Sequence, residues 1–183
     1  MRYALLALKV LLYSYLGYLL YILAVEYEPS NPNFRPPFIL FVVDWIDLFI
    51  HEGGHFLFRI FGQWIYILGG SLTQVLLPGL AVFVTFRQDR RWIGLPLFWL
   101  GENMVNVSVY IQDAPYKKLR LLASGLIHDW NWLLNGDETS AEIIGGIVQW
   151  LGLLTCAGAI GLGLWFAINI FREGEEAPPP VLD

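Results

Sequence analysis

Phe38-Ile39-Leu40-Phe41-Val42-Val43-Asp44-Trp45-Ile46-Asp47-Leu48-Phe49-Ile50-His51-Glu52-Gly53-Gly54-His55-Phe56-Leu57-Phe58 is apolar enough to be a membrane helix, yet it carries two histidines and three carboxylates. Within it, His51-Glu52-Gly53-Gly54-His55 is an H-E-x-x-H pattern. On a helix, residues four apart stack on one face, so His51 and His55 can present two imidazoles to one zinc ion. Glu52, beside them, can take a proton from a metal-bound water. Ionisable groups inside a bilayer span are costly, which makes a function the default reading of this stretch.

The rest of the chain fits a membrane setting. Of 183 residues, 56% are hydrophobic and 16% aromatic, where soluble domains are about 45–50% apolar. The apolar residues fall in runs of about 20, the length that spans a bilayer. The expectation is an all-α, polytopic transmembrane bundle of about five spans plus an interfacial helix, integral to a membrane and in contact with the lipid bilayer. Residues 1–172 form one membrane domain with core spans at 38–114, and 173–183 form a disordered acidic, Pro-rich tail. A net charge of -5 with no basic block argues against nucleic acid as a partner. The single Cys156 has no partner for an internal disulfide.

The spans read as residues 3–25, 38–61, 64–86, 92–112 and 143–171. Lys9 and the length of the first run favour a span over a cleaved signal. Gly69-Gly70 and Pro78-Gly79 predict a kinked or partly unwound third span. Residues 119–134, mixing Lys and Arg with Leu and Trp, read as a helix lying at the interface. Lys and Arg divide evenly between the two sides, so the positive-inside rule does not choose an orientation.

Helical geometry places Asp44, Asp47, His51, His55 and Arg59 on one stripe of the second span, with Asp47 spaced to orient His51. A second stripe holds Glu102, Asn106, Tyr110 and Asp113, all within about 80° on the fourth span. A catalytic zinc takes three protein ligands and a water. The candidates for the third are Asp113, Glu102 and His128, the last in His128-Asp129-Trp130. Asp113 and Glu102 lie roughly 16 Å apart along a straight helix, too far to share one ion. Glu102 and Asn106 also suit helix–helix hydrogen bonding, and the glycines of the last span suit close packing, either internal or against another subunit.

HEGGH in one span, an intervening span, and an acidic residue near the end of the next together resemble the site-2 protease family of intramembrane zinc metalloproteases. The resemblance covers roughly residues 38–114. It implies Zn2+ held by His51, His55 and Asp113, with Glu52 as general base and Asn106 contacting the substrate or its oxyanion. The stretch Asn106 to Ala114 departs from the family pattern: no Pro follows Asn106, Ala114 replaces a Gly, and the spacing is one residue short. The implied activity is hydrolysis of a peptide bond in a transmembrane protein substrate, for which Gly69-Gly70 would offer an irregular backbone edge. The alternative is a non-catalytic subunit of a larger membrane complex with a structural metal or polar site. A zinc hydrolase of lipids or small molecules is a third reading.

Overall fold

The structure is a computed structural model that describes residues 2–119, 121–122 and 126–176, without the side chains of residues 2 and 173–176. Among these residues every regular element is helical. Helix α1 (Arg2–Tyr21) runs on through a wider turn at Ile22–Glu26. Pro36 and Pro37 end the following loop, and Pro37 sits just before α2 (Phe38–Phe58), where a missing N–H costs nothing. A single tight turn, Arg59–Phe61, leads to Gly62. Gly62 has φ 88° and ψ 164°, a conformation essentially restricted to glycine. It lets α3 (Gln63–Gln88) start at once and fold back along α2. After Asp89, whose side chain accepts from the Arg91 N–H, come α4 (Gly94–Gln112), α5 (Asp129–Leu133) and α6 (Glu138–Glu176).

Helix α4 is the centre of the bundle. It packs most extensively on α6 and also on α3; α2 lies on α3, and α1 on α6. Small residues set these distances. A Cβ on Gly101 would stand 2.6 Å from the Gly152 carbonyl oxygen, and one on Gly152 would stand 2.7 Å from that of Gly101. The backbones of α4 and α6 therefore touch, as membrane helices do when dispersion rather than solvent exclusion holds them. Tyr13, Leu16, Leu19, Phe98, Val105, Cys156 and Ala159 form the apolar core among α1, α4 and α6.

Three helical stretches are long and apolar enough to cross a membrane: Tyr3–Glu26, Gln63–Gln88 and Glu138–Arg172. Helices α2 and α4 fall outside that set; α2 carries Asp44, Asp47 and Glu52, and α4 has Glu102, Asn103, Asn106 and Ser108 along its length.

The structure corrects three local expectations. Helix α3 is continuous, with Pro78 inside it. Proline removes one backbone bond, which a bilayer helix accommodates through its neighbours. Of the interfacial helix expected over 119–134, only α5 is helical among the described residues. The described part of 119–128 is irregular because its start is tied down: Asp113 accepts from the N–H groups of Lys118 and Leu119 at 2.9 Å each. The last helix begins at Glu138 and extends to Glu176, so residues 173–176 of the expected tail are helical; 177–183 lie outside the described residues.

Candidate metal centre

His51 and His55 project from one face of α2, their ring centroids 4.9 Å apart. The face is available because α3 presses against it at glycines. A Cβ on Gly54 would meet the Gly69 carbonyl oxygen at 2.3 Å, and one on Gly70 would meet His51 Nε2 at 2.5 Å. Gly69 and Gly70 thus admit the neighbouring helix and the imidazole. They lie within a regular helix and offer no irregular edge to a substrate.

The third member of the group is Asp129. Its Oδ2 lies 2.8 Å from His51 Nε2 and 3.2 Å from His55 Nε2. The three ligand atoms fall within 4.8 Å of one another, the arrangement a metal ion needs. Asp129 is delivered by the short helix α5, which several bonds fix in place. The Asp129 N–H donates to Tyr110 Oη at 3.1 Å, Trp130 Nε1 donates to Ser71 Oγ at 3.0 Å, and Asn131 Nδ2 donates to the Ala114 carbonyl at 2.8 Å. Burial pushes the Asp129 carboxyl up, but the two imidazoles outweigh it and hold it below the usual carboxylate range.

The outer ring nitrogens are also engaged. His55 Nδ1 lies 2.8 Å from the Tyr66 carbonyl oxygen. That oxygen can only accept, so His55 donates from Nδ1, and Nε2 is the nitrogen that faces Asp129. His51 Nδ1 lies 3.3 Å from Gln74 Oε1. Gln74 Nε2 donates to Asn106 Oδ1 at 2.8 Å; Asn106 Nδ2 donates to Tyr27 Oη at 2.7 Å and Asp44 Oδ1 at 3.2 Å. Tyr27 Oη donates in turn to Asp44 Oδ1 at 2.7 Å.

The other predicted site residues go elsewhere. Asp113, expected as third ligand, caps the end of α4 through Lys118 and Leu119 and lies 3.3 Å from His128 Nε2. His128 accepts from the Asn131 N–H on Nδ1, so its Nε2–H faces Asp113. It starts α5 and stands outside the ligand group, and burial holds its imidazole below the ordinary range. Glu102 and Asp47 lie side by side deep in the bundle. Trp99 Nε1 donates to Asp47 at 3.2 Å, so Gln74, not Asp47, is what His51 Nδ1 faces. Asp47 Oδ2, Glu102 Oε1 and Asn103 Oδ1 are buried without a donor. Asn106 lines the cavity but spends its amide on Gln74, Tyr27 and Asp44.

A cavity of about 460 Å³ opens on the group, lined by His51, Glu52, His55, Gln74, Tyr110 and Asp129. Leu119, Leu121, Leu122, Leu126 and Ile127 give it an apolar wall. Glu52 is half-buried there, free of the ligand group itself. Sequence reasoning missed Asp129 and Gln74. Asp129 adjoined a histidine already under consideration, and Gln74 was a polar residue in an apolar span; both were signals.

No family model, no curated protein and no solved structure matches the chain.

Proposed function

We infer that the protein is an intramembrane zinc hydrolase that cleaves a peptide bond of a membrane-embedded substrate. The observation that carries this is the convergence of His51 Nε2, His55 Nε2 and Asp129 Oδ2 within 4.8 Å beside a cavity that Glu52 lines. Two imidazoles and one carboxylate are a known catalytic zinc set, leaving a fourth position open. The residues fit the ion chemically: three acceptors pointed at one another are costly unless a cation or proton lies among them. Helices α2 and α4 then cross the membrane too, giving five spans. The outward side of α2 supports this, since Phe38, Phe41, Trp45, Phe49 and Phe56 are exposed there.

Bound zinc would polarise the scissile carbonyl and make water acidic enough to attack at neutral pH. Glu52, one residue from His51, takes the water proton on its carboxylate and returns it to the leaving nitrogen. The apolar wall of Leu119, Leu122 and Ile127 holds substrate side chains and excludes bulk water. A helical substrate hides its carbonyls in internal bonds, so it must unwind to enter.

The second reading is a non-catalytic membrane subunit in which the same three residues hold each other as an ion pair. The 2.8 Å His51–Asp129 contact is compatible with that. One experiment separates the two. Purified protein should contain about one zinc per chain, lost in His51→Ala, and Glu52→Gln should keep the zinc while abolishing cleavage of a reconstituted transmembrane substrate. A zinc-free wild type, or full activity in Glu52→Gln, would overturn the hydrolase reading.

A further inference from the structure

Asp44, Asn106 and Gln74 form a one-way chain of hydrogen bonds that ends on His51. Its direction follows from which atoms can donate. Asp44 Oδ1 accepts twice, from Tyr27 Oη at 2.7 Å and from Asn106 Nδ2 at 3.2 Å. With Nδ2 committed to that side, the Asn106 carbonyl oxygen must face the other way, where it accepts from Gln74 Nε2 at 2.8 Å. That commits the Gln74 amide in turn and leaves Oε1 facing His51 Nδ1 at 3.3 Å. Reversing either amide would set a carbonyl oxygen against a carboxylate or against another carbonyl, in a setting where Gln74 is 3% exposed and cannot turn to water instead.

We propose that Asp44, Asn106 and Gln74 are positioning residues that fix His51 as the Nδ1–H tautomer, so that its Nε2 is bare and aimed at the metal position beside Asp129. This rests on the hydrolase reading above and gives these three polar residues, which touch none of the ligand atoms except through His51, a task within it. His55 needs no such chain, because a backbone carbonyl cannot reverse. His51 does, because a glutamine amide could present its NH2 to Nδ1 and so place the hydrogen on Nε2, where a metal must bind. Tyr27 supports the far end by donating to Asp44 and accepting from Asn106. Second-sphere partners of metal-bound histidines commonly change metal affinity about 10- to 100-fold.

The test reads the tautomer in metal-free protein carrying Asp129→Ala, because the Asp129 carboxylate, 2.8 Å from His51 Nε2, would otherwise draw the hydrogen to that nitrogen. Full-length protein in lipid nanodiscs is labelled with 15N in its three histidines and examined by NMR about two pH units above the ordinary imidazole value. In this Asp129→Ala background His51 should be Nδ1–H. Adding Asn106→Leu should free the Gln74 amide and give a mixture of tautomers; with Asp129 intact, Asn106→Leu should bind zinc at least about tenfold more weakly. Adding Gln74→Glu to Asn106→Leu should restore Nδ1–H, because a carboxylate can only accept and needs no upstream direction. A residue that acts only through packing would lower thermal stability in Asn106→Leu without moving the tautomer, and would not be rescued at position 74. His51 found as Nε2–H in Asp129→Ala, or unchanged Nδ1–H once Asn106→Leu is added, overturns the proposal. If the tautomers behave as expected and zinc does not bind, the relay stands and the hydrolase reading falls.

Discussion

Replacing Gly70 with alanine should damage the metal centre without touching a ligand. The new Cβ would stand 2.5 Å from His51 Nε2 and 2.7 Å from both Cδ2 and Cε1. Carbon atoms pack comfortably at about 3.5–4.0 Å, so the ring must retreat by about 1 Å. Both helices are held by close contact at Gly54 and Gly69, so the backbone has little room to take up that shift. The ring then leaves its 2.8 Å contact with Asp129 Oδ2 and its 3.3 Å contact with Gln74. Overpacking of this kind costs about 1–3 kcal/mol. Because His51 itself is displaced, zinc affinity should fall by at least the factor of about 10–100 seen when a ligand's support is lost. Gly53→Ala is the control: nothing lies within 4 Å of its Cβ position, and removing a mid-helix glycine should stabilise by about 0.5–1 kcal/mol. The assay is a zinc competition titration beside a thermal melt in detergent. Wild-type zinc affinity in Gly70→Ala would refute the claim that this glycine exists to seat His51.

Asp129→Ala should remove zinc as completely as His51→Ala, whereas Asp113→Asn should keep most of it and loosen the chain after α4; metal analysis and limited proteolysis between residues 115 and 128 read the two effects. Retention of zinc in Asp129→Ala would return the third ligand to another residue. Glu102→Gln should raise the melting temperature, since an amide gives the buried Asp47 a donor and removes one of two adjacent acidic groups; the relief of one unsatisfied acceptor is about 1–3 kcal/mol. A lower melting temperature would show that the carboxyl pair is itself holding the bundle.

The helical class and the pairing of His51 with His55 were legible because both are local. A four-residue spacing fixes which side chains share a face, whatever packs against it. Asp129 was not legible in the same way. Its approach to His51 depends on where an irregular segment comes down across the bundle, and that is set by bonds to Asp113, Tyr110 and Ser71 on other elements. The acidic residue on the expected stripe, Asp113, has the right helix face, but it is used up by the turn that follows it. Gly69-Gly70 show a second limit. Sequence marks a glycine pair as a weak point in a helix, while packing makes it the place where two helices meet. Asp47 was placed four residues before His51 on the correct stripe, yet its side chain lies beside Glu102 and accepts from Trp99, and it is Gln74 on α3 that faces His51 Nδ1.

The distance along the chain between the two imidazoles and their carboxylate has a consequence for biogenesis. His51 and Asp129 are 78 residues apart. During synthesis, α2 and α3 are complete while Asp129 is still unmade, so a nascent chain offers only His51 and His55 of the group. The third arrives after α4 is in place and α5 has docked on Tyr110 and Ser71. On the proposed reading, tight zinc capture is therefore a late event that reports a finished fold. If the chain is the hydrolase proposed above, a partly folded chain would hold its metal weakly and stay inactive until the bundle around it had closed.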